Sequence, residues 1–149
     1  MDTGGEVIPS NLEFVGVLPE VEGRVLEGFR IEGMVQDGVQ EGRCHIAYWQ
    51  MEGQWWRTFA EGYALHIRRW DEEPVSWDGG PELLFPVEEV AEECYGAPLY
   101  RLETFIFNDC PALRLVLEDG RAIECFSDEQ ASAWNHAVLR CLNGSAHPL

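Results

Sequence analysis

Residues 43–70 read RCHIAYWQMEGQWWRTFAEGYALHIRRW, and this stretch decides the fold. Cys44, Ile46 and Tyr48 alternate with Arg43, His45, Ala47 and Trp49. Trp55, Arg57 and Phe59 alternate with Trp56 and Thr58, and Tyr63, Leu65 and Ile67 alternate with His66, Arg68 and Trp70. A period of two is the pattern of strands that bury one face. Met51-Glu52-Gly53 and Glu61-Gly62 interrupt it where the chain must turn, with glycine available for a positive φ. The stretch predicts a three-stranded antiparallel meander.

Trp55 and Trp56 add a constraint. Neighbours on a strand point to opposite faces, so both cannot be buried in a sheet with one solvated face. Either a second layer covers the sheet, or one indole stays near solvent and available to a partner. Tryptophan and arginine are the residue types most enriched at binding hot spots.

Working outward, residues 12–17 predict a short strand ended by Pro19, and 24–36 (RVLEGFRIEGMVQ) a bent or bulged strand before an Asp37-Gly38 turn. Residues 71–85 hold three acids in a row, two prolines and a Gly-Gly pair, which predicts a long loop carrying Trp77 beside Asp78. Pro86 then opens an expected short helix. Val87, Val90, Ala91 and Cys94 form its buried stripe, Glu88, Glu89, Glu92 and Glu93 its outer side, and Gly96 its end. Residues 99–107 and 112–118 predict strands, and Asp119-Gly120 a two-residue hairpin turn into 121–126. Ser127 reads as the cap of a last helix, with Asp128 and Glu129 in its first turn and Gln130 at the capping-box position. Its buried stripe would be Ala131, Trp134, Val138 and Cys141, and Gly144 would end it. The expectation is a single α+β domain over 1–149, with 1–11 and 143–149 as flexible tails. An antiparallel sheet, meander plus C-terminal hairpin, would carry a short acidic helix and a C-terminal helix packed upon it.

Charge narrows the function. There are 27 acids against 10 basic residues, all arginine, for a net −17. Residues 24–70 balance to zero, whereas 71–104 carry ten acids and one arginine. Such an excess opposes direct nucleic-acid binding, which needs a basic face, and favours a basic partner. No apolar run approaches membrane-span length. The N-terminal MDTGGEVIPSN has neither a basic n-region nor an apolar h-region, so a cytoplasmic location is expected. Five cysteines at wide spacings, with no CxxC, read as reduced and buried.

Catalytic signals are missing. There is no GxSxG, P-loop, GxGxxG or HExxH pattern. Cys44, His45 and His66 are the conceivable zinc ligands, without the spacing such sites use. Cys110, between Asp109 and Pro111 in an expected exposed turn, has no basic neighbour to activate it. Glu103 shares a strand face with Arg101 and reads as half of a cross-strand ion pair. No catalytic residue, metal or cofactor is expected.

This profile resembles the small acidic immunity proteins of bacterial toxin systems: a tryptophan-rich cytoplasmic α+β domain without a catalytic constellation. The resemblance implies a protein that neutralises one cognate toxin or enzyme, here a basic one. From the residues themselves, the expected contact set is Trp55, Trp56, Trp70, Asp71, Glu72, Glu73, Trp77, Asp78, Glu88, Glu89, Glu92 and Glu93. A secretion chaperone or adaptor is an alternative. A small ligand-binding protein or enzyme with an aromatic-lined pocket is another.

Overall fold

The meander forms as its alternation requires, but in a different architecture. The computed structural model describes residues 13–61, 63–127, 134–141 and 146–149. Its strands are, in chain order, β1 (Glu13–Gly16), β2 (Gly28–Gln36), β3 (Val39–Met51), β4 (Gln54–Glu61), β5 (Ala64–Trp70), β6 (Trp77–Gly80), β7 (Leu83–Phe85), β8 (Val87–Glu89), β9 (Leu99–Phe107), β10 (Cys110–Leu117), β11 (Arg121–Phe126), β12 (His136–Cys141) and β13 (Ala146–Pro148). One 3-10 turn, Glu92–Cys94, lies between β8 and β9. No α-helix occurs among the described residues.

The strands make two sheets. The larger runs β1-β5-β4-β3-β2-β7-β6, with β8 also on β2, and the smaller runs β13-β12-β11-β10-β9. Registers Trp49↔Trp56↔Arg69 and Ala47↔Thr58↔Ile67 put one residue set of the meander on its inner face. Phe29, Ile31, Trp49, Trp56, Leu65 and Ile67 pack there in one core with Leu102, Leu113, Leu115, Ile123 and Leu139 of the smaller sheet. Trp49 and Trp56 stack inside it with ring centroids 5.9 Å apart. Trp134 is fully buried in the same core, and its indole N–H donates to the Pro111 carbonyl at 2.6 Å.

Two local devices position this layer. Glu52 and Gly53 both have positive φ (52° and 74°), the backbone of a tight turn whose twist matches the strands it joins. In β2 the pairing moves from Glu32↔Ile46 to Met34↔Gly42, so β3 carries extra residues and bulges. Gly33 sits in that step, and a Cβ there would lie 2.4 Å from the Gly42 carbonyl oxygen, so only glycine fits.

The α+β expectation is therefore corrected to an all-β, two-sheet fold. Over 86–96 the helical stripe is overridden by the open edge of β2. Glu88 pairs with Ile31 and Glu89 with Arg30, and the Val90 N–H donates to the Phe29 carbonyl at 3.0 Å. Ala91 takes a left-handed conformation (φ 57°) that no helix interior tolerates. Four glutamates with no arginine three or four residues away in sequence also gain nothing from a helix. Val90, Ala91 and Cys94 are buried all the same.

The expected C-terminal helix is corrected in the same way. Residues 136–141 pair antiparallel with β11, from Arg121↔Cys141 to Phe126↔His136, and Ala137 and Leu139 face the core. The Trp134, Val138, Cys141 spacing satisfies a helix, but pairing along a whole strand edge outweighs that local preference. Asp128, Glu129, Gln130, Ala131 and Gly144, to which the rest of that helix was assigned, lie outside the described residues, as does the 1–11 tail. Residues 146–148 form β13 on β12. The expected loop 71–85 holds the β6–β7 hairpin, and the β10–β11 connection is Glu118-Asp119-Gly120.

Candidate functional site

The other face of the meander carries the chemistry. Tyr48↔Arg57↔Arg68 form one row across β3, β4 and β5, Gln50↔Trp55↔Trp70 a second, and Ile46↔Phe59↔His66 a third. Arg30 extends the first row onto β2 opposite Tyr48. These side chains point outward because their strand neighbours point into the core.

The face is built of rings and guanidinium groups. The Arg57 guanidinium lies 4.7 Å from the Phe59 ring centroid and 4.9 Å from that of Trp70. Arg68 lies 5.5 Å from Trp70, and Arg30 lies 4.8 Å from Trp55. Such contacts stabilise by about 0.5–1 kcal/mol each at exposed sites. Phe59 and His66 stack in parallel, with centroids 4.5 Å apart. Beneath them Tyr48 donates its hydroxyl proton to Glu32 Oε1 at 3.0 Å and accepts from Arg57 Nε at 3.4 Å. Tyr48 and Glu32 are both buried. Burial pushes the Tyr48 hydroxyl up to about 12, so it stays protonated and holds this chain in one direction.

Asp71–Ser76 leaves the end of β5 and reaches β6 on the far side of β2. This strap is tied to the same face: Arg30 Nη1 donates to the Pro74 carbonyl at 2.7 Å, and Nη2 to Glu73 Oε1 at 3.0 Å. At its start lies an open depression of about 320 Å³ lined by Arg68, Arg69, Trp70, Asp71 and Glu72.

Arginine pairing sets Arg57, Arg68 and Arg69 apart from the other arginines. Arg24, Arg30, Arg43, Arg101, Arg114, Arg121 and Arg140 each meet a carboxylate. Arg57, Arg68 and Arg69, all on β4 and β5, meet none among the described residues. On the outer face of the smaller sheet the opposite holds. Glu103 joins Arg101 (2.6 Å) and Arg114 (2.7 Å), and Glu124 joins Arg114 (2.6 Å) and Arg140 (2.8 Å). That five-member chain satisfies itself across four strands. Glu103 is thus a cross-strand ion pair on the edge strand β9.

The structure sorts the residues expected from sequence. Trp55 and Trp70 are half-buried on the outer face, and exposed Asp71, Glu72 and Glu73 lie on the strap beside them. Glu89 joins through Arg30, 4.0 Å away. Trp56 is in the core at 5% exposure and is unavailable to a partner. Trp77, 51% exposed, stacks on Phe85 at 4.1 Å at the far edge of the sheet, with exposed Asp78 beside it. Glu88, Glu89, Glu92 and Glu93 are exposed but form no common face. Glu88 and Glu89 are strand neighbours, Glu88 is held by Arg43 at 2.8 Å, and Glu92 and Glu93 sit in the 3-10 turn.

Cys44 is in the core while His66 is on the outer face, and no group of three metal-ligating side chains occurs among the described residues. Cys110 is buried rather than in an exposed turn, and burial pushes its thiol pKa up. Arg30, Tyr48, Arg57 and Arg68 were not singled out by sequence reasoning. Their signal was present in the period-two placement of arginine among aromatics.

Comparison of the chain with protein-family models, with curated proteins and with solved structures finds no match.

Proposed function

We propose that this protein is a protein-binding module of the immunity or inhibitor kind, and that its partner docks on the outer face of β3–β5. One observation carries the reading. That face presents half-buried tryptophans beside Arg57 and Arg68, which have no carboxylate partner among the described residues, and the Asp71–Ser76 strap is tied to it through Arg30. Indoles and guanidinium groups in this state are the groups that anchor protein interfaces. The net charge of −17 attracts a basic partner over distance, while the face provides the close contact. Asp71, Glu72 and Glu73 give the contact an acidic rim.

The test takes the protein encoded beside this one as the probe and measures its binding kinetics at low and high salt. Trp55→Ala and Trp70→Ala should each raise Kd by about tenfold or more, mainly through faster dissociation. Raised salt should slow association of the wild type and the variants alike. Binding of both variants at wild-type affinity would place the contact elsewhere.

A further inference from the structure

We infer that Arg57 is the receptor for a carboxylate that the protein partner presents, with Arg68 supplying a second charge at the same point. The inference rests on the docking face proposed above and names what that face recognises.

The first argument is a conflict within the sheet. Arg57 and Arg68 are direct cross-strand partners. Like charges directly opposite one another destabilise a sheet. This chain has 27 acids with which to relieve the conflict, and at no other described arginine does it fail to place one nearby except the adjacent Arg69. Proteins violate local rules of this kind at functional sites.

The second argument is orientation. The Arg57 guanidinium is flanked by Phe59 and Trp70, and its Nε–H is directed at the Tyr48 hydroxyl. Tyr48 is fixed in turn by buried Glu32. Nη1 and Nη2 make no hydrogen bond with any described residue, and Arg57 is half-buried like the tryptophans beside it. What remains is a planar pair of donors already held in place, the fork that carboxylates and phosphates accept in two parallel bonds. An arginine whose work was finished by ring stacking would need neither the hydroxyl beneath it nor the repulsion beside it.

The third argument chooses between oxyanions. Asp71 and Glu72 line the same depression as Arg68 and Arg69, and the chain carries a net −17. A phosphate polymer would be repelled by that field. A single carboxylate set among basic side chains fits both the guanidinium pair and the acidic rim.

Two measurements test this. In the free wild-type protein, glutarate and inorganic phosphate are titrated separately while the Arg57 Nε–H and Trp70 indole resonances are followed. Glutarate should move both, with saturation, at lower concentration than phosphate, and Arg57→Lys should abolish the response. No saturable shift with glutarate, or stronger binding of phosphate, would overturn the carboxylate assignment. In the second arm, Arg57→Lys keeps the charge and loses the fork, and should weaken binding of the protein partner by about tenfold or more while the protein stays folded. Arg68→Gln should weaken it less. If Trp55→Ala and Trp70→Ala weaken the partner while Arg57→Lys does not, this inference fails and the docking face stands. If all of these variants bind as wild type, the docking face itself fails.

Discussion

Arg57 and Arg68 face each other across β4 and β5 with Trp70 within 4.9 Å of one guanidinium and 5.5 Å of the other. Two cations share one ring, and no described carboxylate separates them. Like charges directly opposite one another weaken a strand pair.

Arg68→Glu should therefore stabilise the free protein. The opposed pair becomes an attractive one, worth about 0.2–1 kcal/mol across a strand pair. Urea unfolding should show a higher midpoint with an unchanged slope. The same variant should bind the partner more weakly, separating stability from function at one position.

Arg114→Met should have the opposite sign and a larger size. Arg114 links Glu103 and Glu124, whose side chains are only 9% and 4% exposed. Removing one partner of a buried pair leaves an uncompensated charge, at a cost of about 3–5 kcal/mol. Part of it is offset here because Arg101 and Arg140 still reach the two carboxylates. Adding Glu124→Gln should recover some of the loss, which a double-mutant cycle in urea would measure.

His45 makes stability fall on mild acidification. Burial lowers its pKa below the ordinary 6.5, with nearby Glu32 opposing the shift. The unfolded chain then binds a proton that the folded chain refuses. The penalty is absent above about 6.5, grows as pH falls through that value, and levels off below the depressed folded pKa. Unfolding midpoints measured from about pH 8 to about pH 5 should decline for the wild type and decline less for His45→Phe.

Thiol labelling should report the native fold. Cys141 is exposed, and Cys44, Cys94, Cys110 and Cys125 are buried. Burial raises the Cys94 and Cys110 thiols, which further slows their reaction. A thiol-specific chromogenic reagent should titrate one group in the folded protein and five after denaturation. Reductant should leave the melting temperature unchanged.

The meander was legible because each of its residues obeys one rule, alternation, that tertiary structure did not need to override. The strap acids beside Trp70 were legible for a related reason: three consecutive acids following a strand end have nowhere to go but the surface. The two expected helices failed at places where a local pattern competed with an open strand edge. Val87, Val90, Ala91 and Cys94 do fall on a helical stripe, yet β2 offered hydrogen bonds to the same segment, and Ala91 turned left-handed to accept them. Trp134 was correctly a core residue, but for a reason no wheel contains, its indole bond to Pro111. The Arg57 site stayed hidden because its meaning lies in which carboxylates are missing around it, and only the placement of all ten arginines shows that.

β1 pairs in parallel with β5, from Glu13↔Ala64 to Gly16↔Ile67. β1 thus has no site until β5, four strands further along the chain, is in place, whereas β2 to β5 can zip up one hairpin at a time. Non-local pairing of this kind comes late, because the intervening loop must be closed before it is rewarded. β1 acts as a clasp fastened onto a sheet already made. Starting the chain after residue 17 would accordingly leave the domain folded but bare along β5, where a second copy could supply the missing strand and turn a monomer into a self-associating one.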